Sequence, residues 1–257
     1  MANSLFSYLY RGLMISGHQL LALLAFPLLL ALGMHYLARL LQNRGMHLIG
    51  EKPFLYLTAP GTAIHELSHA IFCLVFFHKI KSITLFQMGK DNLLGCVVHT
   101  YNPRNPWHQV GNFFIATGPI WLGCAALYGL LLLMGWSNAL VDVRPWGAWL
   151  TSLGKSAWAL PFHDWQLYVG LYLFLCVGSH VTLSPPDLRA AWGGAVAVVL
   201  AWIFINWATL WAAWDLTQHA VTWFLPWIHK GCLAMLVALV LELVLLLVVS
   251  LLGLVRR

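Results

Sequence analysis

Long apolar runs, separated by short polar or Pro/Gly breaks, make up most of the chain. Six of these runs approach the roughly 20 helical residues needed to cross a bilayer. They lie at about 18–41, 53–77, 110–136, 165–183, 188–214 and 231–254. A Trp-rich loop follows the third run, to about residue 163. Residues 215–230, with Trp223, Phe224 and Trp227, read as an interfacial helix. Residues 79–101 break the pattern. Segments 80–88 and 93–101 are short and rich in Ile, Val, Thr and Phe, with Gly89-Lys90-Asp91-Asn92 between them. That arrangement reads as a β-hairpin, with an irregular loop as the alternative. The expected fold is therefore all-α and polytopic: about six transmembrane helices with a small membrane-associated β-hairpin. We expect one membrane domain over 1–257, with its chemical core at 53–189, and no internal repeat.

Composition agrees with this class. Of 257 residues, 61% are hydrophobic and 9% charged, and the mean hydropathy is +0.78. Soluble domains carry about 25% charged residues, so this chain lacks the means to coat a water-facing surface. The net charge of +6 does not point to nucleic acid, because the basic residues are scattered through short loops. They read as topology signals instead. With the N-terminus inside, the inner segments hold Arg11, Lys79, Lys81, Lys90, Arg104, Arg189, Arg256 and Arg257. The outer ones hold Arg39, Arg44, Lys52, Arg144, Lys155 and Lys230. The excess places both termini in the cytoplasm. The five cysteines form no CxxC pair, which argues against a disulfide framework or a cysteine-ligated metal. No cleavage site follows the first apolar run, which reads as a retained span. A bacterial cytoplasmic membrane is the expected location.

The second run contains His65-Glu66-Leu67-Ser68-His69, an HExxH pattern. Histidines four apart share one helix face and can meet a single cation. Glu66 lies beside that face, free to act as general base toward water on the ion. An ionisable residue at the centre of a span costs about 2.5–3.5 kcal/mol on insertion scales. In a chain with eight acidic residues, that cost needs a reason, and a metal supplies one. The bland reading is a polar face bonded to neighbouring helices. A catalytic zinc site takes three protein ligands and leaves one position open. Asp187, in Leu183-Ser184-Pro185-Pro186-Asp187, stands where two prolines break the helix. A broken helix buried in protein can turn a side chain inward. Asp187 is the expected third ligand, with a simple N-cap role as the alternative. His180 is the rival ligand.

These residues resemble the site-2 protease family of intramembrane zinc metalloproteases, over about half the chain. Gly61–Ala70 is similar to the family's HExxH helix. Gly111–Ile120, with Asn112, Gly118 and Pro119, looks like its Gly-Pro helix. Residues 183–187 sit where the family places a Leu-Asp-Gly motif with the third ligand. The chain departs from the family at Trp121 and Leu122, where an Asn is usual, and at Leu188, where a Gly is usual. It has no room for a PDZ domain. The resemblance implies Zn2+ held by His65, His69 and Asp187, with Glu66 as catalytic base. It implies a transmembrane protein as substrate, with Asn112, Gly118 and Pro119 as substrate-binding residues. It also implies that an edge strand from 80–88 or 93–101 holds the unwound substrate. The Gly118-Pro119 step is equally readable as a packing kink.

Other classes compete. A zinc-binding membrane protein that holds a membrane partner without turnover shares the same ligands. Twelve histidines suggest a haem redox protein, but axial haem pairs come from facing helices, not from one face. No HxxHH cluster supports a di-iron enzyme, and the lack of a repeat argues against a transporter. Glu242, mid-span in the last run, is a functional candidate without an assigned role. Matching depths for His65 and Asp187 require either that 53–59 also lie in the membrane or that the Pro185-Pro186 break dips inward.

Overall fold

The structure is a computed structural model. It describes residues 2–88, 94–136, 151, 154–155, 164–212, 214 and 216–255. Seven helices and one two-stranded sheet follow one another among the described residues: α1 (Ala2–Ile49), α2 (Glu51–Val75), β1 (Lys79–Thr84), β2 (Cys96–Thr100), α3 (Pro106–Ala116), α4 (Gly118–Leu133), α5 (Trp165–Gly178), α6 (Pro185–Trp211) and α7 (Leu216–Val255). The turn at 89–92, the Trp-rich loop and the C-terminal arginines lie outside the described residues.

Among the described residues, three helices are long and apolar enough to cross a membrane: α1 over Leu5–Ile49, α6 and α7. The pair α3 and α4, bent by 53°, makes a fourth if counted as one span. These helices are consistent with a membrane protein, but the six expected spans are not shown. The shortfall has physical causes. His65, Glu66, His69 and small polar residues dilute the hydropathy of α2. Helix α5 has 14 residues, about 21 Å of rise against roughly 30 Å of hydrocarbon. The first run is the middle of a 48-residue helix, about 70 Å long. The expected interfacial helix is no separate element, because 216–255 form one helix that passes through Pro226. The expected hairpin is present: β1 and β2 pair antiparallel, Lys79 opposite Thr100 and Thr84 opposite Cys96, with an irregularity between Ile80 and Ser82.

The apolar core lies among α1, α4, α5 and α7, around Met34, Leu127, Leu131, Phe174, Met235 and Ala238. A smaller cluster, Phe113, Ala116 and Ala191, joins α3 to α6. Lipid tails are as apolar as leucine, so such helices associate through close packing and buried polar bonds. One buried network supplies the latter. The Gln19 carbonyl accepts from Trp202 Nε1 (2.9 Å) and Asn206 Nδ2 (3.1 Å). Thr217 donates to Asn206 Oδ1 at 2.8 Å. This ties α1, α6 and α7 together far from the HExxH residues.

Candidate metal centre

Helix α2 runs unbroken through Pro60, so His65 lies mid-helix, about 20 Å from its start. Its approach to α5 depends on Gly61. A Cβ there would stand 2.0 Å from the Cys176 carbonyl oxygen and 2.4 Å from His180 Nδ1, so any larger residue forces the helices apart. Gly118 serves the same purpose on α4, where a Cβ would lie 3.1 Å from the Ser68 carbonyl oxygen.

The two histidines and Asp187 converge. One ligand atom from each of His65, His69 and Asp187 lies within 4.8 Å of the other two. The His65 and His69 Nε2 atoms are 3.2 Å apart. His65 Nε2 lies 3.6 Å from Asp187 Oδ2, and His69 Nε2 lies 3.5 Å from Oδ1. Each ring is held from behind. His65 Nδ1 lies 2.9 Å from the His180 carbonyl and His69 Nδ1 lies 2.7 Å from the Ile115 carbonyl. A carbonyl only accepts, so both Nδ1 atoms carry the proton and both Nε2 lone pairs face the shared point. That is the outer-shell arrangement of histidine metal ligands. The group can therefore hold a metal ion, with donors already aimed.

Asp187 stands at the start of α6 without being its cap, which corrects the N-cap alternative. The N-cap of α6 is Ser184, and Asp187 is the third residue of the helix. Its Oδ2 accepts from the Ser184 backbone N–H at 3.0 Å and from the Ser184 hydroxyl at 2.5 Å. The Ser184 oxygen in turn accepts from Asp187 N–H at 3.3 Å, a capping box. The box fixes the carboxylate where the histidines meet. In an unbroken helix the Ser184 N–H would bond the His180 carbonyl. The break before Pro185 turns that N–H toward Asp187 and leaves the carbonyl for His65.

His180, the rival ligand, stands outside the converging group. Its Nδ1 donates to the Cys176 carbonyl (2.9 Å), so Nε2 accepts from the Thr62 hydroxyl (3.1 Å). Its contribution to the site is its backbone carbonyl. Glu66 is nearly buried beside the histidines and lines the same cavity. That cavity, of about 940 Å³, is walled by α1 (His35, Arg39, Gln42), α2, Leu94–Val97 and His99 of the hairpin, α3 (Asn112, Ile115), α5, and the turn from Ser179 to Asp187. Asn112 thus faces the cavity. Gly118 and Pro119 do not line it and are buried. The hairpin lies directly over Glu66, since a Cβ on Gly95 would come 2.6 Å from Glu66 Cγ. Glu242 is fully buried behind the site, against Gly178, with no hydrogen bond to either oxygen.

Several of these residues escape a sequence reading. Ser184, three before Asp187 and ahead of an apolar run, carries a readable capping-box signal. Thr62, Gly95, His99 and the carbonyls of Ile115 and His180 carry none. Outside the spans, His78 packs against His99, Tyr101 and His108 at ring distances of 5.0–5.1 Å. Burial pushes its pKa down to about 4, and burial lowers that of His99 as well.

Compared with protein-family models, curated proteins and solved structures, the chain matches none.

Proposed function

We propose that this protein is an intramembrane zinc metalloprotease of the site-2 protease type, hydrolysing a peptide bond within or near a transmembrane segment of a membrane-protein substrate. One observation carries the reading: two Nε2 atoms and one carboxylate converge beside a glutamate on the wall of a large cavity. The donor set favours zinc. Four ligands at zinc's usual 2.0–2.1 Å stand about 3.3 Å apart at tetrahedral corners, close to the 3.2 Å between the two Nε2 atoms, each of which faces its own oxygen of Asp187, at 3.6 and 3.5 Å. Two imidazoles and a lone carboxylate suit a transition metal better than magnesium or calcium, which prefer all-oxygen sites. Three protein donors leave a fourth position on the cavity side. When bound, the ion supplies Lewis-acid polarisation of a carbonyl and activation of water.

The chain's own residues do the rest. His65, His69 and Asp187 bind the metal. Glu66 takes a proton from water and delivers it to the leaving amine, which requires one carboxylate within reach of both. Its burial keeps competing solvent away. A helical peptide bond is shielded by its own hydrogen bonds, so substrate must unwind before attack. Of the two strands, β2 is favoured to receive the unwound stretch, because Cys96, Val97 and His99 line the cavity. We assign both termini to the cytoplasm from the distribution of the basic residues.

The test compares wild type with Glu66→Gln in cells expressing a panel of single-span membrane proteins. New termini inside apolar segments should form only with wild type, while both purified proteins hold one zinc per chain. Identical terminus profiles would remove the protease assignment. Bound zinc without cleavage would leave a membrane protein that holds a partner.

A further inference from the structure

The helix carrying His69's support is broken at Gly118-Pro119, and the break has a chemical consequence at the site. In an α-helix the N–H of residue 119 bonds the carbonyl of residue 115. Proline has no N–H. The Ile115 carbonyl accepts His69 Nδ1–H at 2.7 Å instead. The neighbouring turn draws on Phe113, and the cap N–H also reaches the Ile115 carbonyl, whose second lone pair is the one His69 meets. Thr117 N–H and its hydroxyl both bond the Phe113 carbonyl, at 2.9 and 2.7 Å. Ile120 N–H bonds the Thr117 carbonyl at 3.0 Å. The chain bends by 53° there, which turns the end of α3 toward α2. Gly118 lets the start of α4 lie against the Ser68 backbone, one residue before His69.

We propose that Pro119 is a positioning residue of the metal centre: by lacking an N–H it spares the Ile115 carbonyl a competing helical donor and leaves one lone pair to fix the tautomer and ring orientation of His69. This gives the Gly-Pro step a role that neither a packing kink nor substrate contact describes. It rests on the metal-site reading. The parallel on the other side of the site is the Pro185 break, where the His180 carbonyl is left for His65. Both imidazoles are thus oriented by carbonyls that helix breaks release.

The experiment uses the full chain in detergent micelles, as wild type, Pro119→Ala, Pro119→Gly and His69→Ala. Both proline variants restore an N–H, and the glycine tolerates the bend. Zinc affinity is measured by competition with a chromophoric chelator. The His69 tautomer is read from 15N shifts of labelled histidine in metal-free protein, assigned by difference with His69→Ala. The expected result is Nδ1–H at His69 in wild type, loss of that state in Pro119→Ala and Pro119→Gly, and zinc binding weakened about 10–100-fold. A role in packing alone would lower thermal stability and leave tautomer and affinity unchanged, which overturns the proposal. If neither proline variant folds, wild type decides: Nε2–H at His69 overturns it. Failure of wild type to bind zinc, or equal binding by His69→Ala, would instead sink the metal-site reading.

Discussion

Asp187→Asn separates the two jobs that Asp187 holds. The amide oxygen keeps an acceptor for the Ser184 N–H and hydroxyl, which stand at 3.0 and 2.5 Å. The capping box therefore survives in large part, and α6 still begins at Pro185. What is lost is the negative charge that lies 3.5–3.6 Å from both Nε2 atoms. Structural zinc sites bind with about 10–16 kcal/mol spread over four ligands. One ligand is then worth about 3–4 kcal/mol, or two to three decades of Kd at 1.4 kcal/mol per decade. The control is Ser184→Ala, which removes the cap hydroxyl at a cost of about 1 kcal/mol in stability. The Ser184 backbone N–H still holds the carboxylate at 3.0 Å, so zinc affinity should fall about tenfold, the low end for loss of a group that orients a ligand. Chelator competition on the purified proteins gives both constants, and thermal melts give both stabilities. A Kd for Asp187→Asn within about threefold of wild type would show that the carboxylate is a helix-start group and no ligand. A larger loss in Ser184→Ala than in Asp187→Asn would refute the argument from the other side.

Three further outcomes follow from the same geometry. Thr62→Val removes the hydroxyl that satisfies His180 Nε2 at 3.1 Å; it should cost about 1–3 kcal/mol in stability and weaken zinc binding about tenfold, both measurable without substrate. Glu242→Met replaces a fully buried carboxyl whose oxygens have no partner. It should stabilise the fold by about 1–3 kcal/mol in denaturation from micelles, and a loss of more than about 1 kcal/mol would contradict the unpartnered state. The hairpin should loosen in acid. His78 donates from Nε2 to the His108 carbonyl at 3.1 Å, while its buried Nδ1 has no partner. Its pKa is pushed down by burial to about 4, against about 6.5 in an unfolded chain. The unfolded state then binds more protons below about pH 6.5, so stability falls between there and pH 4. Protection factors of the β1 and β2 amides, corrected for the intrinsic pH dependence of exchange, should fall across that window, and unchanged protection from pH 7 to 5 would count against it.

The chain's apolar pattern, its low charge and the HExxH spacing are enough to place it among membrane helical proteins and to pick out His65 and His69, because both properties are periodic and local. The hairpin is legible for the same reason: alternating short strands flank a turn signal. The number and extent of helices are not local. A polar stretch such as 42–49 or 216–230 looks like an end when read alone, yet in α1 and α7 the backbone continues, since helical hydrogen bonds run between backbone groups and Pro226 removes only one of them from α7. Nor does sequence reveal that Asp187 both closes the capping box with Ser184 and faces the imidazoles. That depends on α6 starting at the depth of His65, which packing at Gly61 and the Pro185 break decides. The Gly118-Pro119 step is visible in the sequence, but its effect is exerted through a backbone carbonyl, and every residue type has one. Residue types thus determined which donors the protein owns. Where those donors converge, and which carbonyls are left to orient them, only the packing of α2 against α3, α5 and α6 decided.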